Sequence, residues 1–264
     1  HNAGFKHHKM NRVYLPIRVP REDLKQFIAD APGLNVKGLS VTIPHKESVL
    51  PLLSEVDDAV RGIGAANTVV FEGDRRIGHN TDYRAAMNSL EAALGKTDGE
   101  ESAETSPLKG KTALILGAGG AGMAIAYGLS RRGATVVVSD GVQQKAAAIA
   151  ERFDCRSVEW SQRHAVSADI LVNATPVGMH PEVDETPYEK HHLRPSMVVF
   201  DAVYNPENTL LIKEARSRNC KVVTGIDMFV RQACLQFQLF TGRPGPADLM
   251  RDLIKRAIGP AKYN

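Results

Sequence analysis

Three groups of residues in this sequence have the types and spacing to do chemistry. The first is a glycine series. Gly117-Ala118-Gly119-Gly120-Ala121-Gly122 fits G-x-G-x-x-G at Gly117, Gly119 and Gly122, directly after the apolar run Thr112 to Leu116. A strand feeding such a series into a helix is the context that makes it a dinucleotide-binding signal. The first glycine permits the tight turn and the second lets backbone amides approach a pyrophosphate. The third packs helix on strand. Ala118, Gly120 and Ala121 belong to the same cradle, and the helix N-terminus adds positive potential. The second group is Asp140, which lies 23 residues after Gly117 at the end of the next apolar run. A carboxylate there can bind the ribose 2′-hydroxyl of NAD and repels the 2′-phosphate of NADP. Gly141 and Val142 follow it rather than an arginine, which favours NAD, while Lys145 keeps NADP open. Asp140 has a plainer reading too, as a cap for the helix that follows.

The third group is Lys46 with Asp82. Hydride exchange at an alcohol carbon needs a group that moves the hydroxyl proton. Lys46 follows Thr42-Ile43-Pro44-His45 at a predicted helix start, where the helix dipole would favour a neutral amine. Asp82 follows Asn80-Thr81 at a second predicted helix start. Each taken alone reads as an ordinary residue, an exposed helix lysine and an N-cap carboxylate. His45 reads as a neighbour rather than a base.

These residues need elements to hold them. Gly38 to Ile43 reads as a strand stopped by Pro44. Lys46 to Leu53 and Glu55 to Ile63 read as short helices. Asn67 to Glu72 and Arg75 to His79 read as a hairpin across Gly73-Asp74, and a helix should run from Asp82 to about Leu94. Gly95 to Lys109 is polar and acidic, a mobile loop or linker. Beyond it the pattern alternates regularly. Strands are expected at 112–116, 135–139, 169–173, 197–202 and 221–223, with helices at 121–131, 143–153 and 209–218. Two last helices are expected near 228–240 and 247–258. The strands are continuous apolar runs, as in a parallel sheet buried on both faces.

Composition sets outer limits. Of 264 residues 43% are hydrophobic and 24% charged, the balance of a globular chain. The 33 basic and 30 acidic residues leave +3, which gives no electrostatic footprint for nucleic acid. No apolar run approaches the ~20 residues of a membrane helix. Cys155, Cys220 and Cys234 are odd in number and widely spaced, which suits a reducing cytoplasm better than a disulfide framework. No metal site is expected, and the His-rich start, His1 with His7 and His8, reads as surface. The chain opens without Met, so it is expected to be a fragment of something longer.

Six separated motifs then carry a resemblance. They are Ser40 to Glu47 (SVTIPHKE), Gly64 to Val69 (GAANTV), Gly78 to Asp82 (GHNTD), Asn173 to Met179 (NATPVGM), Phe200 to Tyr204 (FDAVY) and Gly225 to Ala233 (GIDMFVRQA). In order and wording the chain resembles the shikimate dehydrogenase family. It is most similar to the dehydrogenase half of bifunctional dehydroquinate dehydratase–shikimate dehydrogenase chains, through Val183 to Pro187, His192 and the FDAVY run. The resemblance implies reversible hydride transfer between NAD(P)H and 3-dehydroshikimate, giving shikimate, in chorismate and aromatic amino acid biosynthesis. It implies Lys46 and Asp82 as the catalytic pair. Thr42, Asn67, Asn80, Tyr204 and Gln232 would bind substrate. Asp58, Thr175, Ala202, Gly225 and Met228 would join the glycine loop and Asp140 at the cofactor; Met228 also has a plainer reading as a core methionine.

The implied fold is α/β: a substrate-binding domain of residues 1–82 plus 226–264 and a doubly wound Rossmann domain of residues 108–225. Residues 83–107 would be a connecting helix and acidic linker, and the site would lie in a cleft at the strand ends. Two departures stand out. The serine pair that family members carry just before the opening His-Asn is absent, and Asp140-Gly141-Val142 replaces the Asn-Arg-Thr usual in NADP users. Other readings are an NAD-linked quinate dehydrogenase, and a non-catalytic sensor of the metabolite on the same fold.

Overall fold

The structure is a computed structural model that describes residues 1–96 and 104–258. The chain divides into two compact units. One holds His1–Asp82 with Val230–Asp252, and the other holds Tyr83–Phe229 with the chain from Leu253.

The first unit begins with two short helices, α1 (Asn2–His7) and α2 (Leu24–Asp30). A four-stranded sheet follows, built from β1 (Gly38–Ser40), β2 (Glu55–Val56), β3 (Thr68–Glu72) and β4 (Arg75–His79) in the order β1-β3-β4-β2. β3 pairs antiparallel with β1 and β4, and β2 runs parallel to β4. The expected hairpin turns at Gly73 (φ 60°), a left-handed value that glycine adopts without steric cost. Val69 and Phe71 from β3 close onto Leu24 and Ile28 from α2, with Val49 and Val60, to form the core of this unit. Helix α3 (Asp58–Ile63) is capped by Asp57, whose side chain accepts from Val60 N, and ends at Gly64 in the left-handed region.

Local chemistry revises three expectations here. β1 ends at Ser40, because Thr42 O accepts from His45 N at 2.8 Å and turns the backbone. No helix spans Lys46 to Leu53. One helical turn, closed by Val49 N on His45 O at 3.0 Å, gives way to a 3-10 turn at Leu50–Leu52. Pro51 sits inside the expected span and has no N–H to continue a ladder. Glu55 and Val56 pair with β4 instead of starting α3. Sequence reading missed α1 and α2, although Leu24, Phe27 and Ile28 carry the i, i+3, i+4 signal.

The second unit is a six-stranded parallel sheet. In chain order it holds β5 (Thr112–Leu116), α5 (Gly120–Arg131), β6 (Thr135–Ser139), α6 (Gln143–Arg152), β7 (Arg156–Ser157) and a 3-10 helix at Trp160–Ala165. Next come β8 (Ile170–Asn173), a 3-10 turn at Lys190–His192, β9 (Val198–Asp201), α7 (Leu210–Ser217) and β10 (Lys221–Val223). The order β10-β9-β8-β5-β6-β7 reverses direction beside β5, between the exits of β5 and β8. Such a switch point is where open α/β sheets bind ligands. β8 and β9 are buried along their whole length, and Leu114 and Leu116 of β5 pack with Leu171 and Val199. Three helices contribute to both units or lie at their boundary: α4 (Thr81–Ala93), α8 (Gly225–Thr241) and α9 (Ala247–Ile258). α8 begins three residues before the expected Met228. Thr224 N donates to Asp227 Oδ2 at 3.0 Å and Asp227 N to Thr224 Oγ1 at 3.4 Å, a reciprocal cap legible in the T-x-x-D spacing.

The expected linker has its centre outside the described residues, but its flanks are tied down. Glu91 on α4, 6% exposed, accepts from Ser106 Oγ at 2.6 Å and Arg132 Nε at 3.2 Å, and Lys96 Nζ lies 3.6 Å away. A second buried network joins the exits of β8 and β9. Asp201 accepts from Asn173 Nδ2 (3.0 Å), Val203 N (3.0 Å) and Thr209 Oγ1 (2.6 Å). Burial pushes the Asp201 carboxyl up to about 6 from 3.8, against the pull of those three donors.

Two outcomes follow from these networks. Glu91→Ala removes the carboxylate paired with the guanidinium of Arg132, itself 3% exposed. It should cost about 3 kcal/mol in urea denaturation, and a loss below about 1 kcal/mol would contradict the role given to Glu91. Asp201 binds its proton more tightly in the folded chain than in the unfolded one. Its stabilising contribution is therefore complete below about pH 4 and lost as pH rises through about 6, a swing on the order of 3 kcal/mol. The stability difference between wild type and Asp201→Asn should shrink across that window; parallel stability–pH curves would refute it.

Candidate active site

In the first unit, a dipeptide of the second motif holds the other two. Ala66 N donates to Lys46 O at 2.8 Å, Val41 N to Asn67 O at 2.7 Å, and Asn67 N to His79 O at 3.1 Å. The Asn67 side chain, 3% exposed, accepts from Thr81 N (2.8 Å) and Thr68 Oγ1 (2.9 Å) and donates to Thr81 Oγ1 (2.9 Å). Asn67 thus satisfies a free N–H in the first turn of α4. Asn80 donates to Ala65 O at 2.9 Å.

The outcome is that Lys46 Nζ lies 2.6 Å from Asp82 Oδ2, with side chains 27% and 17% exposed. An ammonium and a carboxylate are joined where a small molecule can still reach them. The expected helix dipole at Lys46 is replaced by this single carboxylate, because Lys46 stands on an isolated turn. Thr42 is exposed close by in sequence, and Gln232 on α8 is half-buried. One turn further along α8, Gln236 was not singled out by sequence. It is 3% exposed, donates to Thr68 Oγ1 (2.9 Å) and Asn67 O (3.1 Å), and accepts from Ser40 Oγ (2.8 Å). Its i, i+4 spacing from Gln232 was the available signal. Asp58 is ion-paired with Arg61 at 2.8 Å on an exposed face of α3.

In the second unit the glycine series behaves as its spacing implies. Gly117 (φ 102°) leaves no room for a side chain, since an added Cβ would meet Ala174 backbone at 2.7 Å. At Gly122 the same atom would lie 2.0 Å from Gly117 O. Gly119 and Gly120 have nothing within 4 Å of that position, so the N-terminus of α5 is open to a close ligand. This cradle fits a dinucleotide pyrophosphate. Ala118 N donates to Asp140 Oδ2 at 2.7 Å and Val142 N to Asp140 Oδ1 at 2.8 Å. Asp140 therefore braces the loop and turns the backbone at Val142, but it is not the cap of the plainer reading: the N-cap of α6 is Val142, which has no side-chain cap.

Across the switch point, Asn173 Oδ1 accepts from Thr175 N (3.0 Å) and Thr175 Oγ1 (2.6 Å), shaping the loop after β8. Asp201 shapes the loop that carries Ala202 and Tyr204, whose ring packs 5.1 Å from that of Phe229. Gly225 is required by packing, because a Cβ there would lie 2.2 Å from Val203 O. Met228 is 8% exposed.

Comparisons with known proteins bear on the family of the chain. The family model for the shikimate dehydrogenase substrate binding domain matches residues 1–69. That for the shikimate 5′-dehydrogenase C-terminal domain matches residues 225–255. Residues 111–202 match the family described as NADP oxidoreductase, coenzyme F420-dependent. The shikimate dehydrogenase (NADP(+)) of Desulforamulus reducens is 37% identical over 270 residues, covering 98% of this chain and 89% of that one. The chloroplastic bifunctional 3-dehydroquinate dehydratase/shikimate dehydrogenase of Arabidopsis thaliana is 37% identical over 264 residues, covering 97% of this chain and 43% of that one. A crystal structure of a shikimate dehydrogenase in complex with NADP+ superposes with a TM-score of 0.88 at 33% identity, covering 98% and 90% of the two chains. Identity at this level along nearly the whole sequence means that the chain belongs to the shikimate dehydrogenase family.

Proposed function

We propose that this chain catalyses reversible hydride transfer between NAD(P)H and 3-dehydroshikimate, giving shikimate, a step of chorismate and aromatic amino acid biosynthesis. The observation that carries the reading is the 2.6 Å Lys46–Asp82 pair. In the reducing direction the Lys46 ammonium donates a proton to the carbonyl oxygen as it gains charge, and Asp82, 2.6 Å away, keeps that ammonium aimed. In the oxidising direction Lys46 takes the hydroxyl proton. Thr42, Asn67, Asn80, Tyr204 and Gln232 are neutral and polar, which suits a polyol because each can donate and accept.

The first unit would serve as the substrate domain and the second as the dinucleotide domain. The amides from Gly119 to Ala121 would hold the pyrophosphate, in a loop shaped by Gly117 and Ala118, whose own amides bond Ser139 O and Asp140, and Asp140 would hold the adenosine ribose. Thr175, Ala202, Gly225 and Met228 would line the nicotinamide side, with Asp58 a further contact. When bound, the dinucleotide supplies or accepts the hydride.

Asp140 favours NAD over NADP, since its negative charge opposes a 2′-phosphate. The same residue favours one second reading, an NAD-linked quinate dehydrogenase that uses the same Lys–Asp pair. A metabolite sensor would have no need of that pair. A dehydratase fused upstream, as in the Arabidopsis relative, and a cytoplasmic location complete the proposal. No helix among the described residues is long and apolar enough to cross a membrane, which fits that location.

Lys46→Ala should lower kcat by about 10²–10⁴-fold with the fold intact by circular dichroism. Unchanged turnover would refute the mechanism, and binding without turnover in the wild type would favour the sensor. Steady-state kcat/KM should favour NAD over NADP, and shikimate over quinate. The double change Asp140→Ser with Gly141→Arg should move cofactor preference towards NADP. A wild-type preference for NADP above about tenfold, or 1.4 kcal/mol, would sink the role given to Asp140.

A further inference from the structure

The second unit brings together three side chains that the proposed reaction does not use. His164 lies in the last turn of the 3-10 helix before β8, while Glu189 is the N-cap and His192 the last residue of the 3-10 turn before β9. One ligand atom from each falls within 4.8 Å of the others. Both ring nitrogens of His164 are buried and make no hydrogen bond. Buried polar atoms are nearly always satisfied, so two orphaned nitrogens on one ring call for a partner. We propose that His164, Glu189 and His192 form a binding site for a late first-row divalent cation, Zn²⁺ above all.

The donor set decides the class of ion. Two imidazoles and one carboxylate suit zinc and its neighbours, whereas calcium and magnesium take oxygen ligands. Zinc holds nitrogen and oxygen at ~2.1 Å, which puts tetrahedral ligand atoms ~3.4 Å apart. The rings of His164 and His192 stack 4.3 Å apart at 17°, so closing on one ion needs the rings to turn as well as shift by on the order of 1 Å. A tetrahedral ion here keeps a fourth position for water or for His191, whose Nε2 already lies 3.4 Å from Glu189 Oε2.

The frame around the cluster is built in advance. Arg163 donates to Pro187 O (2.9 Å) and Trp160 O (2.6 Å), and its guanidinium lies 4.4 Å from the Trp160 ring centroid. The neighbouring positive charge is thus engaged, and the two segments that carry the ligands are stapled. The His164 ring also packs 4.5 Å from that of Tyr188, which is 1% exposed. A bound ion would clip the approach to β8 onto the approach to β9 and stabilise this unit; it takes no part in hydride transfer.

The test is calorimetric titration of EDTA-stripped full-length chain with ZnCl₂ in a non-chelating buffer. Expected are one site per chain with Kd of about 1 μM or tighter, a rise in Tm with zinc, and the visible ligand-field bands of four-coordinate Co²⁺. Glu189→Gln and His192→Asn, on the exposed side of the cluster, should each weaken binding about tenfold or more while the chain stays folded. The double variant His7→Ala, His8→Ala should bind as the wild type does. Binding weaker than about 1 mM, insensitivity to both cluster variants, or loss of binding in the His7/His8 variant would each overturn the site.

Discussion

Everything in the first unit hangs on one buried amide. Asn67 accepts the first-turn N–H of α4, and its own main chain bonds to β4 on one side and to Val41 on the other. Its neighbour Ala66 holds the carbonyl of Lys46. Lys46 and Asp82 are therefore hung from adjacent residues of one strand entry, which is why they meet at 2.6 Å despite a separation of 36 positions. The pair needs no help from its own charges to find its geometry. The backbone supplies the geometry, and the charges determine what it can do.

The second unit solves a comparable problem without side chains. At the switch point, three backbone segments converge at Gly117, Gly122 and Ala174, and an added Cβ on either glycine would collide with a peptide group. A ligand cradle made this way is defined by what is missing from the chain. The polar residues around it, Asn173, Asp201 and Asp140, spend their hydrogen bonds on holding loop backbone. This division of labour leaves the peptide N–H groups at the start of α5 as the natural anion donors.

How much of this is legible in the sequence depends on the range of the forces involved. The hairpin at Gly73, the parallel strands and the glycine cradle are local patterns with strong sterics, and they stand where spacing puts them. The helix expected at Lys46 is absent because Pro51 and the Thr42 turn outweigh helical periodicity. The early start of α8 was encoded in Thr224 and Asp227, a capping pair hidden beside more conspicuous glycine and methionine residues. The Gln236 bridge to Thr68 spans 168 positions; the i, i+4 spacing from Gln232 marks the residue but not its partner. The cluster of His164 and His192 is equally invisible, since the two lie on separate crossovers that only the folded sheet brings together.

The amide at Asn67 also bears on how this protein ages. Asparagine loses its side-chain amide when the next residue's backbone nitrogen attacks it and closes a five-membered ring. Here that nitrogen belongs to Thr68, the first residue of a central strand registered against Ser40 and His79. A strand paired on both sides holds the nitrogen away from the attack geometry, and the amide itself is locked by three partners. The residue whose chemical decay would do most harm to the Lys46–Asp82 pair is thus kept among the slowest to decay, by the same bonds that make it important.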